Sequence, residues 1–331
     1  MVKKLAINGF GRIGRLFFKM AVEDPSIEIV AINDIADLKQ SAHLLKYDSI
    51  YGRWKHDVKT EENPKSLIID GKKFPFFAIK EPAELPWKNL DVDIAYESTG
   101  LFTTKEGFKK HLQAGAKKVF ISAPADDAEL TVVYGVNSNK LTPDIKTVSG
   151  ASCTTNCLAP IVKVLHDNFT IKRGLMTTAH AYTNDQRILD FGHRDLRRAR
   201  AGAINIIPTS TGAAKAIGLV IPELKGKLDG VALRVPVPDG SIVDLKCELE
   251  KPTTVDEINK AMKKASENEL KDVLGYTEDE IVSTDIIGMN YASLVDAKLT
   301  KVIDKNFASV FSWYDNENSF TIQSLRTIKL M

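Results

Sequence analysis

Cysteine is scarce. The 331 residues contain three, Cys153, Cys157 and Cys247, an odd number and too few for a disulfide framework. That excludes the stapled architecture of small secreted domains and points to a reducing cytoplasm. Neither sign of charge dominates: 45 lysines and arginines against 43 aspartates and glutamates leave +2. A balance so near neutral gives no reason to expect a long polyanion as main partner, while a local basic patch and small anions stay open. No run of about 18 apolar residues occurs, so no transmembrane helix is expected. The opening MVKKLAINGFGR reaches glycine before an apolar signal core forms, and export is not expected. Internal repeats and low-complexity segments are missing as well.

What remains is an ordinary globular composition, 44% hydrophobic and 27% charged, in a chain long enough for two domains. The first third alternates short strand-like runs (KLAING, IEIVAIND, VDIAYESTG, KKVFISAP) with helical ones, the pattern of βαβ units on a mostly parallel sheet. After the first strand, Ile13, Leu16, Phe17, Met20 and Ala21 recur at the spacing of one buried helix face. SLIIDGKKFPFF reads as a hairpin turning at Asp70-Gly71, an antiparallel elaboration outside the parallel core. From about residue 150 the texture is α+β: a helix over 156–169, then long alternating strands, and a capping box of Thr254 and Glu257.

INGFGRIGR places Gly9, Gly11 and Gly14 in G-x-G-x-x-G spacing between a strand and a helix, with Asn8, Phe10, Arg12 and Ile13 interleaved. Such glycines serve the tight turn, the close approach of a pyrophosphate and close helix packing, with the helix N-terminus facing the phosphates. Asp34 follows 20 residues after Gly14, where a carboxylate accepts from ribose hydroxyls and repels a 2′-phosphate. A glycine turn in some other βα unit is the bland alternative. Strand, spacing, helix and acid agree on a dinucleotide, with NAD preferred over NADP.

Cys153 stands in the hydroxyl-rich turn SGASCTTNC ahead of an apolar helical run, where helix-terminal amides favour a thiolate. Cys157, one turn on, and Cys247 read as buried small hydrophobes. A zinc reading of CTTNC fails for want of a second ligand pair. His180, ending an apolar strand in TTAHAYTNDQ, is either the base a nucleophile needs or a satisfied core histidine. Thr183, Thr211, Gly212 and Lys215 are suited to anions, and Arg234 inside ALRVP is costly in an apolar strand unless paired or anion-bound. The basic run RDLRRAR reads as a solvated or intersubunit loop.

With INGFGRIGR, SCTTNC, HAYTNDQ, IPTSTGAAKA, LRVPVPDGS and WYDNE in this order, the chain resembles the phosphorylating glyceraldehyde-3-phosphate dehydrogenase family from end to end. The resemblance implies a Rossmann-type dinucleotide-binding domain, residues 1–152 with 316–331, and an α+β catalytic domain with a mostly antiparallel sheet, residues 153–315. It implies a homotetramer that oxidises D-glyceraldehyde 3-phosphate to 1,3-bisphosphoglycerate with NAD and inorganic phosphate. By motif, Cys153 matches the nucleophile and His180 its activating partner. Thr183 and Arg234, with Asp185 beside them, match the hold on the substrate phosphate; Ser152, Thr154, Thr211 and Gly212 match the site of the attacking phosphate. Asn316 matches the partner of the nicotinamide carboxamide and Ile13 the apolar contact beside that ring, while Ser98, Thr99 and Ser122 end strands lining the cofactor cleft.

Departures stand beside the match. Asn318, Ser319 and Phe320 replace the tryptophan, glycine and tyrosine common after WYDNE, and Phe191-Gly192 replaces the leucine-proline of NAD-specific members, which leaves NADP use open. Three other functions compete: a hydrolytic erythrose-4-phosphate dehydrogenase, against which Thr183 and STGAAK weigh, an aspartate-semialdehyde-type dehydrogenase, which HAYTND and WYDNE fit poorly, and an RNA- or surface-binding protein using the RDLRRAR loop.

Overall fold

The computed structural model describes residues 2–331 and divides the chain into two compact units. The first comprises the chain up to Val132, Lys140–Ala151 and Ser324–Met331; the second comprises Val133–Asn139 and Ser152–Gln323. Residues 133–139 and 316–323, assigned to the first domain from sequence, thus count with the second unit.

In the first unit β1 (Lys3–Asn8), α1 (Arg12–Ala21), β2 (Ile27–Asn33) and α2 (Leu38–Lys46) lead to a short hairpin, β3 (Tyr47–Asp48) and β4 (Gly52–Arg53). Three strands follow, β5 (Val58–Glu62), β6 (Lys65–Ile69) and β7 (Lys72–Phe77). The unit continues with β8 (Ile94–Glu97), α3 (Lys105–Gln113), β9 (Lys118–Ile121), β10 (Leu130–Thr131) and β11 (Thr147–Ser149). One nine-stranded sheet results, ordered β10-β11-β9-β8-β1-β2-β7-β6-β5. Its centre is parallel, as short apolar runs between helices dictate.

The predicted hairpin forms on Asp70 and Gly71, both at positive φ (48° and 87°), the backbone a two-residue turn requires. It is not outside the core, however. β7 pairs in parallel with β2 through Ile32 and Phe76, so the hairpin extends the main sheet. Its arrival widens the buried face of α1: Phe18, not Met20, joins Leu16, Phe17 and Ala21 in the interior, edge-on to Phe74 at 5.1 Å and to Phe10 at 5.6 Å. Burying one such side chain is worth about 1.5–3 kcal/mol. Ala6, Ala31 and Ala95 form the opposite face with Trp87 and Ala114. Because Cβ atoms alternate, Asn8 and Glu97 project to that same face.

The second unit opens with α4 (Cys153–Phe169), β12 (Ile171–Ala181), β13 (Ile207–Ser210), α5 (Ala213–Val220), β14 (Leu228–Val235) and β15 (Ser241–Leu249). It closes with α6 (Val255–Glu267), β16 (Leu274–Thr277), β17 (Ser293–Asp296), β18 (Lys301–Ile303), β19 (Phe307–Tyr314) and α7 (Asn318–Leu330), whose last turns fall in the first unit. The sheet runs β13-β14-β12-β15-β19-β17-β16 with β18 on β19, and five of its seven pairings are antiparallel. The helix expected over 156–169 starts three residues earlier, at Cys153, capped by Ser152. It is buried along most of its length against β19, β17 and β15. The Thr254–Glu257 capping box starts α6. Among the described residues no helix is long and apolar enough to cross a membrane.

Candidate active site

Two sites are built, one in each unit. In the first, the C-terminal ends of β1, β2 and β8 border a cavity of about 550 Å³ lined by Gly9, Gly11, Asp34, Ile35, Ser98 and Thr99 among others. The glycines have separate reasons. Gly9 lies at φ 94°, and a Cβ there would sit 2.6 Å from the Thr99 amide; a Cβ on Gly14 would lie 2.0 Å from the Gly9 carbonyl. A Cβ on Gly11 would meet nothing within 4 Å, so that side of the loop is open. Gly11 also caps α1 with no side-chain acceptor, and no acid stands in the first turn, which leaves the terminal amides for an anion. Asp34 is pinned at the cavity wall by the amides of Phe10 and Ala36. A dinucleotide fits this cradle, with its pyrophosphate at the glycines and its adenosine ribose at the acid.

The side chains of two interleaved residues and of a serine after β8 serve the fold. The Phe10 ring is core, Arg12 pairs with Asp48 at 3.3 Å, and the Ser98 hydroxyl is spent on the Gly9 carbonyl at 2.7 Å. Ser122 likewise donates to the Glu97 carbonyl, and Ile13 is half-buried.

In the second unit, β12 and β14 run parallel with His180 opposite Arg234, which sets the two side chains together. The Cys153 thiol lies 3.4 Å from His180 Nε2. Arg234 Nη1 lies 2.9 Å from the Ala181 carbonyl, 3.0 Å from Thr183 Oγ1 and 2.9 Å from His180 Nδ1; donation to the two oxygens uses both its protons. His180 Nδ1 is 2.6 Å from that carbonyl, a separation that requires a proton between them. The imidazole is thereby assigned the tautomer whose Nε2 lone pair faces the thiol. Burial, reinforced by the Arg234 charge, brings the His180 pKa down to about 3. Burial pushes the Cys153 thiol up, and Arg234 pulls it back. The dipole-lowered resting thiol expected from the helix N-terminus is thus outweighed by desolvation, and its proton has a neutral acceptor alongside.

Arg234 is the open end of the cluster. Its Nε is buried without a partner, and among the described residues no carboxylate comes within 4.0 Å of its guanidinium. Such a cation calls for an anionic ligand. Asp185 is held away from it by Arg198 (2.7 Å) and takes the Thr183 hydroxyl proton. Arg198 therefore belongs to the site's wall and is no solvated loop charge; it also donates to Thr209 at 3.0 Å.

The residues matched to a second anion have mixed commitments. Ser152 Oγ caps α4 by accepting from the Thr155 amide, and Thr211 Oγ1 accepts from the Ala213 amide beside Gly212, which carries no side-chain cap. Thr154 Oγ1 meets the buried Tyr314 hydroxyl at 2.9 Å, and Tyr314 meets Thr178 at 2.9 Å. Thr178 donates to the Ile242 carbonyl, so the chain of protons runs from Thr154 through Tyr314 to Thr178. The Thr154 hydroxyl proton is thus directed to Tyr314 in this network, while the hydroxyl and amide of Thr154 also favour the Cys153 thiolate. Asn316 Oδ1 accepts from Ser241, itself bound by the Ala181 amide, which leaves the carboxamide N–H groups of Asn316 to donate outward.

Sequence reasoning missed Tyr314, Ser241 and Arg198. Cys157 faces Ser293 and Ser312, and burial raises its thiol, like that of Cys247, to about 12. Asn318 and Ser319 tie down the loop at Gly288 and Met289 through their side chains.

Comparison with known proteins shows the family. The model of the glyceraldehyde 3-phosphate dehydrogenase NAD binding domain matches residues 3–105, and that of the C-terminal domain of the same family matches residues 152–316. Glyceraldehyde-3-phosphate dehydrogenase of Geobacillus stearothermophilus is 55% identical over 322 residues, 97% of this chain and 96% of that one. That of Borreliella burgdorferi is 56% identical over 325 residues, 96% of each chain, and that of Clostridium pasteurianum 54% over 331 residues, 98% and 97%. A dinucleotide cradle in one unit, a thiol beside a neutral imidazole in the other and matches across nearly the whole length lead to one statement: this chain belongs to the glyceraldehyde 3-phosphate dehydrogenase family.

Proposed function

We propose that the protein oxidises D-glyceraldehyde 3-phosphate to 1,3-bisphosphoglycerate, with Cys153 as nucleophile, His180 as proton acceptor and Arg234 with Thr183 as the hold on the substrate phosphate. The observation that carries this reading is the 3.4 Å approach of Cys153 Sγ to His180 Nε2 beside an arginine whose buried Nε has no hydrogen-bond partner. Sγ gives its proton to His180 Nε2 and bonds to the aldehyde carbon as the C=O π bond opens; His180 passes that proton to the oxygen, giving a hemithioacetal, and takes it back as the carbon loses hydride. NAD, when bound, supplies the acceptor for that hydride. Inorganic phosphate then attacks the thioester carbon; the C–S bond breaks, the acyl phosphate departs, and sulfur is released as thiolate. Gly9, Gly11, Gly14 and Asp34 hold the cofactor, and the free N–H groups of Asn316 suit its carboxamide.

Six apolar side chains of one loop, Ile188, Leu189, Phe191, Leu196, Ile204 and Ile206, are each at least 67% exposed. So concentrated an apolar surface supports self-association, in keeping with a homotetramer working in the cytoplasm.

The test is formation of reduced cofactor by the purified protein with glyceraldehyde 3-phosphate, with NAD or NADP and with or without inorganic phosphate. Turnover that needs phosphate and prefers NAD is expected. Phosphate-independent turnover points to thioester hydrolysis, and none overturns the reading.

A further inference from the structure

A second polar cluster, fully inside the first unit, takes no part in this chemistry. Glu97, the last residue of β8, is 1% exposed. Its Oε1 accepts from the Thr99 amide at 2.7 Å and from the Thr99 hydroxyl; its Oε2 accepts from Asn8 Nδ2 at 2.6 Å and lies 2.9 Å from His111 Nε2. Trp87 Nε1 donates to His111 Nδ1 at 3.1 Å. An indole N–H only donates, so Nδ1 is the acceptor and the imidazole proton sits on Nε2, aimed at Glu97. Onward from Glu97, Asn8 Oδ1 accepts from Asn33 at 2.8 Å, and Asn33 exchanges two hydrogen bonds with the Ile79 backbone.

The placement follows from register. Glu97, Asn8 and Asn33 are direct neighbours across β8, β1 and β2, one residue before each strand opens into the cavity. The chain thus runs beneath the cavity floor, and Asn8, Asn33, Ile79 and Thr99 line that cavity. Its hold reaches the glycine loop: the Thr99 amide that Glu97 binds comes so close to Gly9 that a Cβ there would sit 2.6 Å away, and the intervening Ser98 donates from its amide to the Asn8 carbonyl and from its hydroxyl to the Gly9 carbonyl.

We propose that Glu97, oriented by His111, is a positioning residue for the cofactor: it presets the Gly9 and Thr99 segments in the form that takes the dinucleotide, and so sets NAD affinity without entering the chemistry. This rests on NAD being the occupant of the cavity. A buried carboxylate saturated with donors is rigid, and pre-organised amides bind an anionic ligand without an ordering cost.

The experiment uses the full chain as wild type, Glu97→Gln, His111→Leu and His111→Gln. Glu97→Gln turns an N–H₂ toward two donors; His111→Leu removes the Nε2 proton, whereas His111→Gln replaces it at nearly the same reach. Calorimetric titration with NAD is expected to show binding weakened about ten- to a hundredfold in Glu97→Gln and His111→Leu, with most of the loss recovered in His111→Gln. In the ligand-free protein, amide hydrogen exchange over residues 98–101 accelerates in the two weakened variants. For His111→Leu, KM for NAD rises while kcat at saturating NAD stays within about twofold. Unchanged NAD affinity in both variants overturns the proposal. So does a joint fall of affinity, kcat and melting temperature with no rescue by His111→Gln, which marks a merely structural role. Should Glu97→Gln fail to fold, the His111 pair decides alone. A wild type that does not bind NAD removes the cofactor reading itself; a binding wild type with indifferent variants removes only the positioning role.

Discussion

The polar clusters of the two units differ in closure. Around Glu97 each contact joins a donor to an acceptor and the principal members, Asn8, Asn33, Glu97 and His111, are all at most 3% exposed. Around Cys153 the network stops short: Arg234 Nε is buried without a partner, and His180 turns a lone pair to a thiol. Saturated groups hold backbone in place, whereas an unsaturated buried cation costs stability that only a ligand returns. One protein uses both arrangements, the first where loops must be set in advance and the second where a substrate must complete the site.

Changes at the open end have the largest effects. Cys153→Ser lowers turnover by roughly 10⁴ or more, since it removes the atom that forms the acyl bond; steady-state rates with saturating substrate check this. His180→Asn costs about 10²–10⁴ in kcat, the usual worth of a positioned base. Arg234→Leu lowers kcat/KM for the phosphorylated aldehyde by about 10² more than for unphosphorylated glyceraldehyde, whose smaller loss reflects only the slowed thiol. The same substitution slows alkylation of Cys153 at neutral pH, because Arg234 is the chief group opposing the upward push of burial on that thiol. Equal losses on both aldehydes would mean that Arg234 is structural and that the cluster is as closed as the one at Glu97.

The same contrast separates what the sequence makes legible from what it hides. Glycine spacing, a cysteine before a helix and a histidine or arginine in an apolar strand are local signals, and the register of β12 with β14 then brings His180 and Arg234 together. Hydrogen-bond partners across elements carry no local mark. Ser152, Thr154 and Ser98 match binding positions by motif, yet their hydroxyls serve a cap, Tyr314 and the glycine turn. Tyr314 is one apolar residue among several in an alternating strand until Thr154 and Thr178 close on it. A weak mark of the Glu97 network was present: His111 follows Phe108 by three residues on the buried face of α3, and Glu97 ends an apolar run where an acid must find donors. Arg198 looked like loop charge because Asp185 and Thr209 are distant in sequence.

Stability against acid offers a finer test. His180 is buried with its pKa near 3, against about 6.5 in an unfolded chain. Between those values the unfolded state binds a proton that the folded state refuses, so this contribution is present above about pH 6.5 and is lost as pH falls toward 3. Urea unfolding at pH 7, 5 and 4 should show the wild type losing a few kcal/mol more than His180→Asn over that range. Parallel slopes would place the acid sensitivity elsewhere.

The smallest effect belongs to Tyr314→Phe. The tyrosine is fully buried, and its hydroxyl links the first turn of α4, through Thr154, to β12, through Thr178. Removing that oxygen deletes both its hydrogen bonds; Thr178 keeps its own bond to Ile242, so one donor, the Thr154 hydroxyl, loses its acceptor, at a cost of about 1–2 kcal/mol of stability. Cys153 starts the same turn, so kcat falls with it, by less than about tenfold, because the 3.4 Å approach to His180 loses one of its supports while the Ser152 cap remains. A double-mutant cycle with Thr154→Val separates the linkage from packing: if the proton chain is the link, the second substitution adds little to the first. Full additivity would mean that Tyr314 acts through its ring alone, edge-on to His180 at 5.9 Å, and that the open cluster rests on packing where the closed one rests on hydrogen bonds.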